Sequence, residues 1–272
     1  MAVPARFWSA SRVDSRAVLE AFDAQIRRHP ELDASSGQVE RDDRVIRCFG
    51  DGWTGVAWCD LDEASADAVI AAQTARFAEL SRPWEWKHYS YDQPPDLADR
   101  LIASGFTRQP DEALLVAEIA DLTLDMSPPA GVELREVVDE HGVEALVSVH
   151  DEVFDGDHSA LGRTLLDGIR RQAATALVAF AGPTPISAGR VEFHAGTDFA
   201  SLWGGGTLPG WRGRGVFRSL VARRAALASA RGLRYLQVDA SPDSRPILRR
   251  LGFVELAMTT PFTHPGLRGG TE

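Results

Sequence analysis

Leu202-Trp203-Gly204-Gly205-Gly206-Thr207-Leu208-Pro209-Gly210-Trp211-Arg212-Gly213-Arg214-Gly215-Val216-Phe217-Arg218 passes from a strand through a glycine-rich turn into a helix. Leu202 to Leu208 has the apolar content of a strand with a softened end, Pro209-Gly210 is a turn pair, and Gly215 to Ala230 is rich in Ala, Leu and Arg, as a helix should be. That order of elements is a recipe for holding phosphate. The first N–H groups of a helix have no intrahelical acceptor, the helix dipole favours an anion there, and glycine lets a ligand approach the backbone. Arg212, Arg214 and Arg218 concentrate positive charge at this point.

The spacing excludes two common phosphate loops. A Walker loop needs Gly-Lys followed by Ser or Thr, which is missing, and a dinucleotide fingerprint fails because Arg218 stands where the third glycine of Gly213-x-Gly215-x-x-Gly should be. The chain around the loop is acidic: 272 residues carry a formal net charge of −10 and a pI near 5.2. Such a surface repels nucleic acid and anionic membranes, so neither is expected as a partner. No run of eighteen apolar residues occurs, and residues 1–10 lack an apolar segment after a basic start, so the expectation is a soluble cytoplasmic protein. The two cysteines, Cys48 and Cys59, have no metal-ligand spacing and read as buried and reduced. No metal is expected; His158 and His194 are lone histidines that read as hydrogen-bonded structural groups.

Short β-rich runs alternate with longer helical patterns along the whole chain, which predicts a mixed α/β fold. In the first half the pattern predicts a helix over 15–28, strands over 45–49 and 53–61, an Ala-rich helix over 66–80, an extended aromatic segment over 84–91, a helix over 97–104 and a strand from Ala113. Ser127-Pro128-Pro129, inside an aperiodic stretch from Asp121 to Gly131, marks a linker and divides the chain into 1–125 and 131–272. Leu101-Ile102-Ala103-Ser104-Gly105-Phe106 matches Leu248-Arg249-Arg250-Leu251-Gly252-Phe253 in position, a weak repeat that suggests tandem duplication; any helix ending in glycine before a strand gives a similar pattern. The tryptophans at 53, 58, 84 and 86 read as core of the first half.

The loop resembles the pyrophosphate segment of the GNAT acyltransferases, Arg/Gln-x-x-Gly-x-Gly/Ala, matched by Arg212 and Gly215 and imperfectly by Phe217. Residues 131–272 follow that family's order: a strand over 132–137, helices over 143–150 and 161–172, strands over 176–181, 186–194 and 199–208, the loop and helix, a strand over 233–240, a helix to Leu251, and a last strand from Val254. The resemblance implies two tandem GNAT-like domains, of which only the second is complete, because the first offers acidic Cys59-Asp60-Leu61-Asp62-Glu63 where the cradle belongs. It implies acetyl-CoA as co-substrate, with pantetheine along Thr207 and Leu208 and pyrophosphate on the amides of Arg212, Gly213, Arg214, Gly215, Val216 and Phe217, joined by Arg218. The implied activity is acetyl transfer to a primary amine, by direct attack in a ternary complex. The acceptor is a small molecule or a peptide, and the family leaves room for a homodimer.

Acyl transfer to an amine needs the neutral amine, although a free alkyl ammonium has a pKa of roughly 10, so a base is expected beside the acceptor. Along 186–194, Arg190, Glu192 and His194 share one strand face, which makes Glu192 the first candidate and Asp239 on the next parallel strand the second. Glu192 in a charged row with a purely structural role is an equal reading. Segment 151–158, acidic and read as a loop, falls where the family binds its acceptor. The resemblance also shows a departure. Leu248 stands where a tyrosine often protonates the leaving thiolate, and Ser241 where asparagine is frequent, so an acyl-CoA sensor or scaffold without catalysis is the alternative reading.

Overall fold

A computed structural model of the chain describes residues 14–32, 37–80, 82–123 and 126–266. Residues 1–10, read above for a targeting segment, lie outside the described residues, as do 124 and 125 of the expected linker. The first half supplies α1 (Ser15–Phe22), β1 (Gln38–Arg41), β2 (Val45–Phe49), β3 (Thr54–Cys59), α2 (Ala66–Phe77), β4 (Trp84–Tyr89), α3 (Leu97–Ala103), β5 (Thr107–Arg108) and β6 (Glu112–Glu118). The second supplies β7 (Val132–Glu136), α4 (Glu140–Phe154), α5 (Ser159–Arg170), β8 (Ala174–Ala181), β9 (Thr184–Phe193), β10 (Phe199–Thr207), α6 (Val216–Ala230), β11 (Tyr235–Ala240), α7 (Arg245–Arg250) and β12 (Val254–His264).

A single twelve-stranded mixed sheet runs through both halves in the order β1-β2-β3-β4-β12-β6-β11-β10-β9-β8-β7, with β5 added on β12. Its two parallel pairs, β3 with β4 and β10 with β11, occupy equivalent places in the two halves, which fits duplication. The last strand of each half is exchanged. β6 pairs with β11 through Tyr235↔Glu118 to Ala240↔Ala113, and β12 pairs with β4 through Thr259↔Tyr89 to His264↔Trp84. Each half therefore completes its sheet with the other's final strand, and β6 pairs with β12 at the centre.

Burial follows the strand period. On one face, Leu115 and Ala117 of β6, Leu202 of β10 and Leu236 of β11 pack beneath Val221, Ala225 and Ala228 of α6 and Leu248 of α7. On the other, Leu114 and Val116 of β6 meet Val18 and Phe22 of α1, and Val178 and Ala188 meet Leu146 and Val149 of α4. Phe77 stacks on Trp84 at 4.1 Å in a separate cluster of the first half. Trp58, Trp84 and Trp86 are buried as expected. Trp53 is not; it is half-buried and borders a cavity. Cys48 and Cys59 are buried, and burial pushes the Cys48 thiol up to about 11.

Two differences from the sequence reading concern local order. Residues 151–154 continue helix α4 rather than opening the acidic loop, which begins at Asp155 with φ 56°. The apolar spacing of Leu146, Val149 and Val153 at i, i+3 and i+7 carries the helix through the acidic residues. Strands β1 and β5 had no expectation, because Gln38-Val39-Glu40-Arg41 and Thr107-Arg108 are too polar or too short to announce themselves.

Candidate functional site

β10 and β11 are paired only from Phe199↔Tyr235 to Ser201↔Gln237. Beyond that rung β11 continues against β6 to Ala240, while β10 continues against β9 to Thr207↔Ser187. The facing edges of the two strands therefore open into a wedge at their C-terminal ends. A bulge between Trp203 and Gly206 helps to drive the split. Gly204 sits in it with φ 57°, and a Cβ there would lie 2.6 Å from the His150 ring, whose Nε2 lies 2.8 Å from the Gly204 carbonyl oxygen. Burial lowers the His150 pKa to about 4, so the ring is neutral and donates to that oxygen.

The glycine loop lies at the mouth of the wedge. Gly213 and Gly215 both take the left-handed region, with φ 72° and 90°, and Gly215 caps α6 without a side-chain hydrogen bond. Among the described residues, the amides of Gly213 to Arg218 have no protein acceptor, and a Cβ built on Gly213 meets nothing within 4 Å. A run of N–H groups without a protein acceptor thus lies at the start of α6, and the space beside Gly213 is open. Arg218 reaches back over Gly215, 3.4 Å from the place of its missing Cβ, and Arg214 stacks on the Trp211 ring at 4.9 Å.

Thr207, Leu208 and Arg212 are already engaged with one another's surroundings. Arg212 Nε donates to the Thr207 carbonyl at 3.0 Å, the Trp211 amide to the Leu208 carbonyl and the Leu208 amide to Ile186. The Thr207 hydroxyl turns inward to Ser187 at 2.7 Å. Each carbonyl keeps a second lone pair for a ligand amide, and Val216 and Phe217 pack against the cores rather than leaving the loop.

On the face opposite α6 the wedge meets a cavity of about 430 Å³ between the two halves. Ser201, Trp203, Gln237, Asp239, Glu192 and His194 line it from the second half, and Trp53, Glu85, Lys87, Tyr89 and Glu112 from the first. Both candidate bases are on its wall and both are ion-paired. Arg190 Nε donates to Glu192 at 2.6 Å, and Lys87 Nζ lies 2.9 Å from Asp239 Oδ2, leaving Asp239 Oδ1 buried without a hydrogen-bond partner. Burial opposes the charge of Lys87, but Asp239, Glu112 and Glu85 outweigh it and raise its pKa well above the usual value. Burial also pushes the Glu112 and Glu85 carboxyls up. Carboxylates outnumber cations on this wall.

The strand period alone marks Glu192, which lies on this wall, whereas the part supplied by β4 and β6 has no signal in the sequence. Nothing in Trp84-Glu85-Trp86-Lys87 signals that β4 crosses to the second half's site; only the strand exchange puts it there. Leu248 is buried in the core under α6 and presents no proton donor to the wedge, and Ser241 is exposed, 3.2 Å from the Ser244 hydroxyl. No helix among the described residues is long and apolar enough to cross a membrane, and no group of three or more His, Cys, Asp or Glu there is placed to hold a metal ion.

No family model and no curated protein matches the sequence. Solved structures do match. A GCN5-related N-acetyltransferase from Kribbella flavida is 20% identical over 94% of this chain and 96% of that one, with a TM-score of 0.67. A tandem GNAT protein from the clavulanic acid biosynthesis pathway is 13% identical over 88% and 85%, with a TM-score of 0.60. A putative GNAT acetyltransferase from Novosphingobium aromaticivorans is 17% identical over 84% and 92%, with a TM-score of 0.54. At these identities it is architecture that is shared: the chain has the tandem GNAT fold.

Proposed function

We propose that the chain is an acyl-CoA-dependent N-acyltransferase that moves an acetyl group from acetyl-CoA to a primary amine. The observation that carries this reading is the row of unpaired amides from Gly213 to Arg218 at the open end of the wedge. These amides take the pyrophosphate, helped by Arg218 and by Arg212 and Arg214 at the rim. The unpaired edges of β10 and β11 beyond the Ser201–Gln237 rung accept the pantetheine amides as they would a strand, with Thr207 and Leu208 offering their carbonyls. Structures sharing this fold are named as acetyltransferases, which supports the same reading. The co-substrate supplies an activated thioester; the chain supplies orientation and a place for the proton.

The cavity on the far side of the wedge takes the acceptor, a small molecule or the end of a peptide. The excess of carboxylates on its wall, with Asp239 Oδ1 unpartnered beside Glu192, suits the cavity to attract and orient an ammonium. The division of labour follows. The second half, over 131–272, binds the co-substrate, and the first, over 1–125, walls the acceptor cavity; at the place equivalent to the cradle, Asp62 is bonded to Ser65 and Arg44. A non-catalytic acyl-CoA sensor is favoured by one observation, the buried Leu248 in place of a proton donor.

Thermal-shift titrations with acetyl-CoA, coenzyme A and ATP test the site, because a ligand that binds only the folded state raises the midpoint, by roughly 2.7 kcal/mol of stability at a hundred times its Kd. Acetyl-CoA and coenzyme A should shift the wild type, ATP far less, and Gly215→Glu should abolish the shift by placing a carboxylate and a strained Cβ in the cradle. No shift in the wild type would end the reading. A shift without coenzyme A release across a panel of primary amines would favour the sensor.

A further inference from the structure

The rung at which β10 and β11 part holds an array that the transfer step has not used. Gln237 Nε2 hydrogen-bonds Ser201 Oγ. Ser201 Oγ is 2.6 Å from His194 Nε2, and His194 Nδ1 is 3.2 Å from Glu31 Oε2. The proton positions follow from what each atom is able to do. The carboxylate of Glu31 only accepts, so Nδ1 carries the imidazole proton; Nε2 of the neutral ring is then a bare acceptor, and Ser201 donates to it. The amide nitrogen of Gln237 only donates, so it takes one lone pair of Ser201 Oγ. One lone pair remains on that oxygen. Ser201 is 1% exposed, and Ser201, His194, Gln237 and Glu31 all border the acceptor cavity.

We propose that Ser201, His194 and Glu31 form a proton relay that takes the proton from the attacking amine and returns it to the departing sulfur. The proposal rests on the transferase reading above and gives it a base, and the acid that the buried Leu248 does not supply. The amine nitrogen bonds to the thioester carbon, and its surplus proton passes to the remaining lone pair of Ser201 Oγ as the hydroxyl's own proton moves to His194 Nε2. The imidazolium is held between Ser201 and the Glu31 carboxylate. When the carbon–sulfur bond breaks, the same path runs in reverse: Nε2 returns its proton to Ser201, which gives its proton to the thiolate. Amide and thiol leave, and the array is restored with no other reactant consumed. Glu31 comes from the first half, so the relay is complete only when both halves are assembled.

Steady-state kinetics with acetyl-CoA and a panel of alkyl, aralkyl and diamino primary amines test this, with the coenzyme A thermal shift as control for folding and co-substrate binding. Ser201→Ala and His194→Gln should each lower kcat about 100-fold, leave the thermal shift unchanged, and lose no more when combined, because they interrupt one path. Ser201→Thr, which keeps a hydroxyl, should restore most of the rate. Glu192→Gln should instead raise the KM for the amine. On the unmutated protein, a rate curving downward as the square of the deuterium fraction would show two protons moving in one step. Wild-type turnover with Ser201→Ala within two-fold of it, or a linear proton inventory should Ser201→Ala not fold, overturns the relay and leaves the transferase reading standing. No wild-type turnover with any amine overturns both.

Discussion

At the scale of single residues, the fold places charge where it must be answered. Arg27 and Asp92 are each nearly out of solvent, with side chains 2% and 3% exposed, and are joined by Nη1 to Oδ1 at 3.0 Å and Nη2 to Oδ2 at 3.2 Å. Asp92 Oδ2 also accepts the Tyr89 amide, and the guanidinium lies 3.8 Å over the Tyr89 ring. Asp92→Asn leaves the buried guanidinium with Asp23 as its remaining carboxylate partner, and the expected loss is about 3–5 kcal/mol in urea denaturation. A loss under 1 kcal/mol would mean that the ring and Asp23 suffice. Neither residue stood out in the sequence, since Arg27 reads as one more basic position late in a helix; Glu192 did, because a strand period of two is visible without any partner.

Among elements, α4 and β10 are coupled through the bulge. His150 of α4 is buried against Gly204, and its pKa of about 4 arises first from burial, with the Gly204 bond, Arg190, His158 and Asp151 modifying it. The folded value is below the ordinary value near 6.5, so below that pH the unfolded chain takes up a proton that the folded chain refuses. Stability is therefore lost as pH falls from about 6.5 to about 4, by about 2–3 kcal/mol, and nothing is gained above 6.5. Other carboxyls, such as Glu85 and Glu112 with raised values, also contribute to the total, so the comparison has to be made with His150→Gln, which keeps a donor for Gly204 but does not titrate. The stability difference between wild type and variant should shrink or reverse by that amount between pH 7 and pH 4.5. A difference independent of pH would refute the assignment. The glycine run of β10 was visible in the sequence, but not that α4 reads its geometry, because residues 150 and 204 meet only in the folded sheet.

The whole molecule is tied together by exchanged strands. Fragment 126–272 would lack β6, leaving the β11 edge and the Leu236 and Val238 surroundings uncovered between β11 and β12. It should fail to show a cooperative transition alone and should recover one, with coenzyme A binding, on co-expression with 1–125; independent folding with full binding would contradict the exchange. The sequence by itself determined the α/β class, the glycine loop and the helix it opens, the acidic balance and the duplicated pattern, because strand period, capping glycines and charge are local properties of consecutive residues. Only the tertiary structure decided that Lys87 meets Asp239, that Trp53 borders a cavity instead of joining the core, and that Glu31, His194 and Ser201 fall into line. Those contacts join residues up to 163 positions apart. They depend on which strand lies beside which, and strand order is set by the burial of whole faces and not by any local signal.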